Sequence, residues 1–261
     1  MSINGLQEWK AKMESGRVTV GAVITLTDIT IGEMAGHCGM DFIWIDTEHG
    51  QFNIETVKDM VIAAKAGGCA PLVRVRANDS NLIKPVLDMA PAGVIIPMVS
   101  SVEAAKAAVA ACCYPLDGIR GFGVRRATGY GGMAFSDYLV QSKTEPWVII
   151  QIEHIDAVRD LDEILKVPGI NSICIGPCDL SASMGIPNQM GDPELNRVLD
   201  EVCAKVKAAG KILGTAAGNF PLWKRRGVNW FAGTGDWGCI ASGFRKFRAD
   251  CDAVKDQVED V

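Results

Sequence analysis

DFIWIDTEHG, residues 41–50, sets a short apolar run directly in front of Asp46, Glu48 and His49. A run this short, apolar on both parities, reads as a strand buried on both faces, which is the habit of parallel sheets in α/β proteins. Ionisable groups crowded at its end read as a site, because a core has no use for them. The question is what the rest of the chain can place beside them.

Seven further runs of the same kind follow or precede it: Val18–Ile24, Pro71–Val75, Gly93–Pro97, Trp147–Glu153, Ile170–Ile175, Ile212–Thr215 and Trp230–Ala232, with Phe42–Asp46 as the run in question. Helical patterns lie between them and carry start signals: Asn53, Ser80, Ser101 and the triplet Asp192-Pro193-Glu194, with Gly67 and Gly210 at C-terminal cap positions. Eight strands alternating with helices, with no linker and no low-complexity segment, predict one (β/α)8 TIM barrel over 1–261. A doubly wound open sheet is the alternative. In a barrel, chemistry collects at the C-terminal strand ends.

Composition limits the partners. The chain has 261 residues, 48% of them hydrophobic, and a formal net charge of -5, which offers no basic face for nucleic acid. Residues 1–17 lack the apolar segment of a signal peptide, and no apolar run approaches the roughly 20 residues of a membrane span. Nine cysteines without a paired C-x-x-C read as reduced thiols, so a soluble cytoplasmic protein is expected.

Four strand ends each offer a polar group. After the second come Asp46, Glu48 and His49; in the third lies Arg74; the fifth carries Gln151 and Glu153; after the sixth comes Asp179. Gln151 and Glu153 share a strand face, and Asp179 lies one βα unit later, so Glu153 and Asp179 can meet above neighbouring strands. Two carboxylates with no histidine or cysteine cluster suit a hard divalent ion, Mg²⁺ or Mn²⁺, with Co²⁺ as a third candidate. The plainer alternative makes each a helix cap. His49 is the best-placed base of the three histidines, with Asp46 to orient its ring. Arg74 needs an anion, either a substrate or an ion pair with Glu48 or Asp46, and Arg76 competes for its place.

Two glycine-rich stretches stay open at this level. GIRGFGVRRATGYGG, residues 118–132, with Arg120, Arg125 and Arg126, is a flexible loop, an anion-binding loop or a contact with a neighbouring subunit. GTGDWG, residues 233–238, formally fits G-x-G-x-x-G, but too little chain follows for a dinucleotide unit; a late barrel loop or a small phosphate site is the better reading.

DFIWIDTEHG, PLVRV, VLDMAPAGVIIPMVSS, GIRGFG, RRATGYG, IIQIEH and IGPCDLSASMG together resemble the HpcH/HpaI family of metal-dependent pyruvate aldolases, from about residue 5 to residue 240. The resemblance implies a barrel of the phosphoenolpyruvate/pyruvate type, usually a hexamer (a trimer of dimers), with a C-terminal helix exchanged between subunits. It implies reversible cleavage of a 4-hydroxy-2-oxo acid to pyruvate and an aldehyde. Metal binding then falls on Glu153 and Asp179, the base on His49 with Asp46, substrate binding on Arg74, Gln151 and Cys178, and a second aspartate, contributed across a subunit interface, on Asp88. Cys178 departs from the family, which commonly has alanine there. The rivals are a malyl-CoA or citramalyl-CoA lyase, whose CoA arm the Arg120–Arg126 loop would have to hold, and a non-catalytic oligomer that binds a keto acid.

Overall fold

The computed structural model describes residues 3–254. Its strands are β1 (Thr19–Ile24), β2 (Phe42–Asp46), β3 (Ala70–Arg74), β4 (Gly93–Ile96), β5 (Trp147–Ile152), β6 (Ser172–Ile175), β7 (Ile212–Ala216) and β8 (Trp230–Gly235). All neighbouring pairs are parallel, and β8 pairs with β1, so the sheet closes in the order β1 to β8. That closure excludes the doubly wound sheet. The helices are α1 (Leu6–Glu14), α2 (Ile29–His37), α3 (Ile54–Ala66), α4 (Ser80–Asp88), α5 (Val102–Cys112), α6 (Phe135–Gln141), α7 (Ile155–Arg159), α8 (Leu161–Ile164), α9 (Pro177–Ser183), α10 (Pro193–Ala208), α11 (Phe220–Arg226) and α12 (Asp236–Val254). Among the described residues no helix is long and apolar enough to cross a membrane.

Side-chain alternation sorts the strand residues into two cores. Ile43, Ile45, Val73, Val94, Ile150 and Ile173 point outward and pack under the helices. Phe42, Trp44, Leu72, Ile95, Ile149, Cys174 and Trp230 point into the barrel. The strands put the indoles of Trp44, Trp147 and Trp230 inside, so space must be found elsewhere: a side chain at Gly214 would collide with the Trp230 ring. Helix α1 closes the N-terminal end, its Trp9 ring 5.4 Å from Phe42 and 5.3 Å from Trp147, with its indole N–H donating to Thr19 at 2.9 Å. The barrel is thus filled from below and opens only at its C-terminal end.

The capping residues are mostly those expected. Asn53 forms a capping box with Thr56, Ser101 accepts from the Ala104 N–H, and Asp192 from the Leu195 N–H. Helix α4 differs: Asp79, not Ser80, is its cap, because the Asp79 carboxylate accepts the Asn81 N–H at 2.7 Å. Gly67 ends α3 in an ordinary conformation (φ −74°), while Gly68 takes the left-handed turn (φ +86°). All nine cysteines are free.

Candidate active site

Inward parity carries Asp46, Arg74 and Gln151 up the barrel wall to its open end, and Glu153 follows one residue past β5. Asp46 and Arg74 are register partners on β2 and β3. Asp179 stands in the first turn of α9, just beyond β6, the strand next to β5. The four polar strand ends picked out in the sequence therefore meet at one mouth.

Arg74 organises one side of it. Its Nε donates to Asp46 Oδ1 at 3.0 Å and its NH2 to Oδ2 at 2.6 Å, a two-point contact that a lysine cannot make. NH1 lies 2.8 Å from Glu48 Oε2, and the guanidinium sits over the Trp44 ring, 5.0 Å from its centroid. Burial opposes the charge, but the two carboxylates overcome it and hold the arginine more firmly protonated than usual. The ion pair weighed for Arg74 in the sequence is real, with both acids at once.

Glu153 is the unusual group on the other side. It is 2% exposed and forms no direct ion pair among the described residues, although the charge of Arg74 reaches it. Its Oε1 accepts the Met98 N–H at 2.7 Å, and Gln151 Nε2 donates to its Oε2 in a very short contact. Burial pushes its carboxyl up to about 7; the Met98 amide and the charge of Arg74 pull the other way, and the charges of Asp179 and Glu48 add to the rise. The cap reading of Glu153 fails: His154 is the cap of α7, its Nδ1 accepting the Asp156 N–H at 3.2 Å. Met98 was not legible as a site residue. Its signal is backbone, a non-glycine residue at φ +52° directly after Pro97.

Other expected residues are placed differently. His49 is exposed at the mouth beside Glu48, whose carboxyl feels its charge. Asp46 does not orient the His49 ring: its carboxylate is spent on Arg74 and on the backbone N–H groups of Glu48 and His49, at 3.0 and 3.3 Å. Arg76 leaves the site and braces the loop after β2, donating to the carbonyls of Thr47 and Phe52. Asp88, the last residue of α4, pairs with Arg120 at 2.9 Å. Arg120 is buried and stacked 4.6 Å over the Tyr114 ring, which takes it out of any flexible anion-binding role; Arg126 donates to the Met89 carbonyl. Cys178 is exposed beside Asp179.

GTGDWG is half strand and half helix start. Asp236 accepts the N–H groups of Thr25 and Leu26 at 2.9 and 2.7 Å, tying β8 to β1. Asp236 also accepts the Trp237 N–H at 2.8 Å, so this carboxylate holds both the end of β1 and the start of α12.

Residues 24–221 match the sequence profile described as HpcH/HpaI aldolase/citrate lyase. The chain is 36% identical over 217 residues to a 4-hydroxy-2-oxo-heptane-1,7-dioate aldolase of Salmonella paratyphi C, covering 83% of this chain and 82% of that one. It is 35% identical over 211 residues to a 2-keto-3-deoxy-L-rhamnonate aldolase of Escherichia coli K12, covering 80% and 78%. Among solved structures, an HpcH/HpaI aldolase from Desulfitobacterium hafniense superposes with a TM-score of 0.86 at 27% identity, over 92% of this chain and 95% of that one. With the closed barrel and matches spanning most of its length, the chain belongs to the HpcH/HpaI aldolase/citrate lyase family.

Proposed function

We propose that this protein is a divalent-metal-dependent aldolase that reversibly cleaves a 4-hydroxy-2-oxo acid to pyruvate and an aldehyde. The observation that carries it is Glu153: a buried carboxylate in no direct ion pair among the described residues, whose carboxyl stays raised by burial and by the charge of Asp179 although Arg74 acts on it too. The surroundings fit an ion. A Cβ at Gly176 would lie 2.5 Å from Glu153 Oε2, so glycine keeps that carboxylate's flank clear, and the buried Gln151 Oε1 has no hydrogen-bond partner among the described residues. No set of three or more His, Cys, Asp or Glu side chains converges there among the described residues, so substrate and water would complete the shell, as suits Mg²⁺ or Mn²⁺.

Glu153 and Asp179 would hold the ion. When bound, it supplies Lewis-acid polarisation of the substrate's keto oxygen, worth several kcal/mol. Gln151 fixes the Glu153 carboxylate in place. Arg74, held by Asp46, donates to the oxygen on which negative charge develops when the carbon–carbon bond breaks. His49 takes the proton of the 4-hydroxyl in cleavage and returns it in condensation. The first-turn N–H groups of α9, that of Cys178 among them, have no helical carbonyl to bond and are available to the pyruvate carboxylate.

The assembly is read as a hexamer, in which Asp88 approaches His49 of a neighbouring copy and α12 is exchanged. Support comes from α12 itself: Trp237, Ile240, Phe244, Phe247, Cys251 and Val254 recur at alternating spacings of three and four, and all are exposed. The compartment is read as the cytoplasm, from the nine free thiols.

Turnover of 4-hydroxy-2-oxo acids to pyruvate is the test. Chelation with EDTA should abolish it and added Mg²⁺ or Mn²⁺ restore it, while borohydride with pyruvate should leave activity intact. Borohydride inactivation with indifference to EDTA would assign an imine-forming lysine instead.

A further inference from the structure

Arg74 has two acidic neighbours that hold it in different ways. Asp46 accepts two aligned hydrogen bonds and is 3% exposed in its side chain. Glu48 Oε2 lies 2.8 Å from NH1, near enough for an ion pair, yet no N–H is aligned with it: this buried oxygen has no hydrogen-bond partner among the described residues. The Glu48 side chain is 20% exposed and comes from a loop rather than a strand. Asp46 is thus the fixed partner, and Glu48 rests against the guanidinium through charge alone.

The edge it covers matters. With Nε and one side of NH2 committed to Asp46, the outward edge formed by NH1 and NH2 is what remains for a planar oxyanion, and Glu48 lies over its NH1 end. Around Glu48 stand Arg74 and His49, which attract it, and Asp46 and Asp179, which repel it. Two carboxylates on one guanidinium leave the group net negative, so a stray anion is turned away.

We propose that Glu48 is the exchangeable counter-ion of Arg74: its carboxylate covers the NH1 end of the guanidinium until an oxyanion of the substrate displaces it, and so it decides which anions reach that arginine. The inference rests on the reading of the site as one for a keto acid.

The test is calorimetric titration of the protein, saturated with Mg²⁺, with pyruvate. Glu48→Gln removes the charge. Glu48→Asp keeps the charge on an arm one methylene shorter, too short for the contact with NH1. Both should bind pyruvate at least tenfold more tightly than the parent, and adding Arg74→Lys to Glu48→Gln should remove the gain. No gain in Glu48→Gln overturns the proposal, as does a gain that Glu48→Asp lacks, which would reflect charge without cover. So does a gain that survives Arg74→Lys. If the gain appears while the parent enzyme cleaves no 4-hydroxy-2-oxo acid, the counter-ion stands and the aldolase reading falls.

Discussion

Asp46 and Arg74 face each other in register on adjacent strands, joined by two aligned hydrogen bonds inside the barrel mouth. Both are buried, so removing Arg74 leaves Asp46 without its cation, and removing Asp46 leaves Arg74 with only the unaligned Glu48. Asp46→Ala should therefore cost about 3 kcal/mol of stability, the scale for breaking a buried pair. Arg74→Lys, which keeps the charge and loses the fork, should cost less stability but at least about a hundredfold in kcat, the scale for one oxyanion donor. Urea unfolding and steady-state aldol kinetics on the two variants check this. Equal losses in both quantities for both variants would reduce Arg74 to a structural role.

Glu153 and His49 occupy the same mouth but are assigned separable tasks. Glu153→Gln should abolish binding of Mn²⁺, followed by electron paramagnetic resonance, together with turnover. His49→Ala should leave Mn²⁺ affinity within about threefold of the parent while lowering cleavage by about a hundredfold or more, the usual weight of a positioned base. Parallel loss of metal binding and turnover in His49→Ala would show that the histidine supports the site rather than acting in it.

The barrel was legible because its strands are short apolar runs flanked by cap residues, and because the polar interruptions fall at strand ends. Asp46, Arg74, Gln151 and Glu153 all follow from that pattern and from side-chain alternation. What stayed hidden depends on register and backbone. The sequence shows Asp46 three positions before His49, but not that strand pairing puts it opposite Arg74, 28 residues away, which takes its carboxylate first. Met98 acts through an N–H, which no side-chain pattern can mark. Glu48 is visible as an acid, but whether an acid is aligned or merely adjacent is a matter of angles.

Cys69 gives a pH dependence with a definite sign. Its thiol donates to the Met40 carbonyl at 3.1 Å, and burial pushes it up to about 12, against an ordinary value of 9.0. The folded protein therefore holds this proton more tightly than the unfolded chain. The resulting stability is fully present below pH 9 and is lost as pH rises toward 12. Cys69→Ala should lose less stability than the parent between pH 9 and 11, whatever its offset at neutral pH. Unfolding midpoints measured across that range decide it; parallel curves would show that the thiol does not titrate in the fold.

Helix α12 carries an apolar stripe that nothing covers among the described residues of a single copy. Phe244 is 72% and Phe247 71% exposed, more than a solvated helix face would keep, and they lie one turn apart on the same side. Burying two such rings between copies contributes about 3 kcal/mol or more, at the usual value of roughly 1.5–3 kcal/mol for each side chain. Replacing both with glutamate should shift the protein to smaller species in sedimentation velocity while leaving the circular dichroism of the barrel unchanged. Because Asp88 is assigned to the site of a neighbouring copy, the dissociated variant should also lose cleavage activity. Unchanged sedimentation would leave the stripe to some other partner, and dissociation with full activity would place every working residue within one chain.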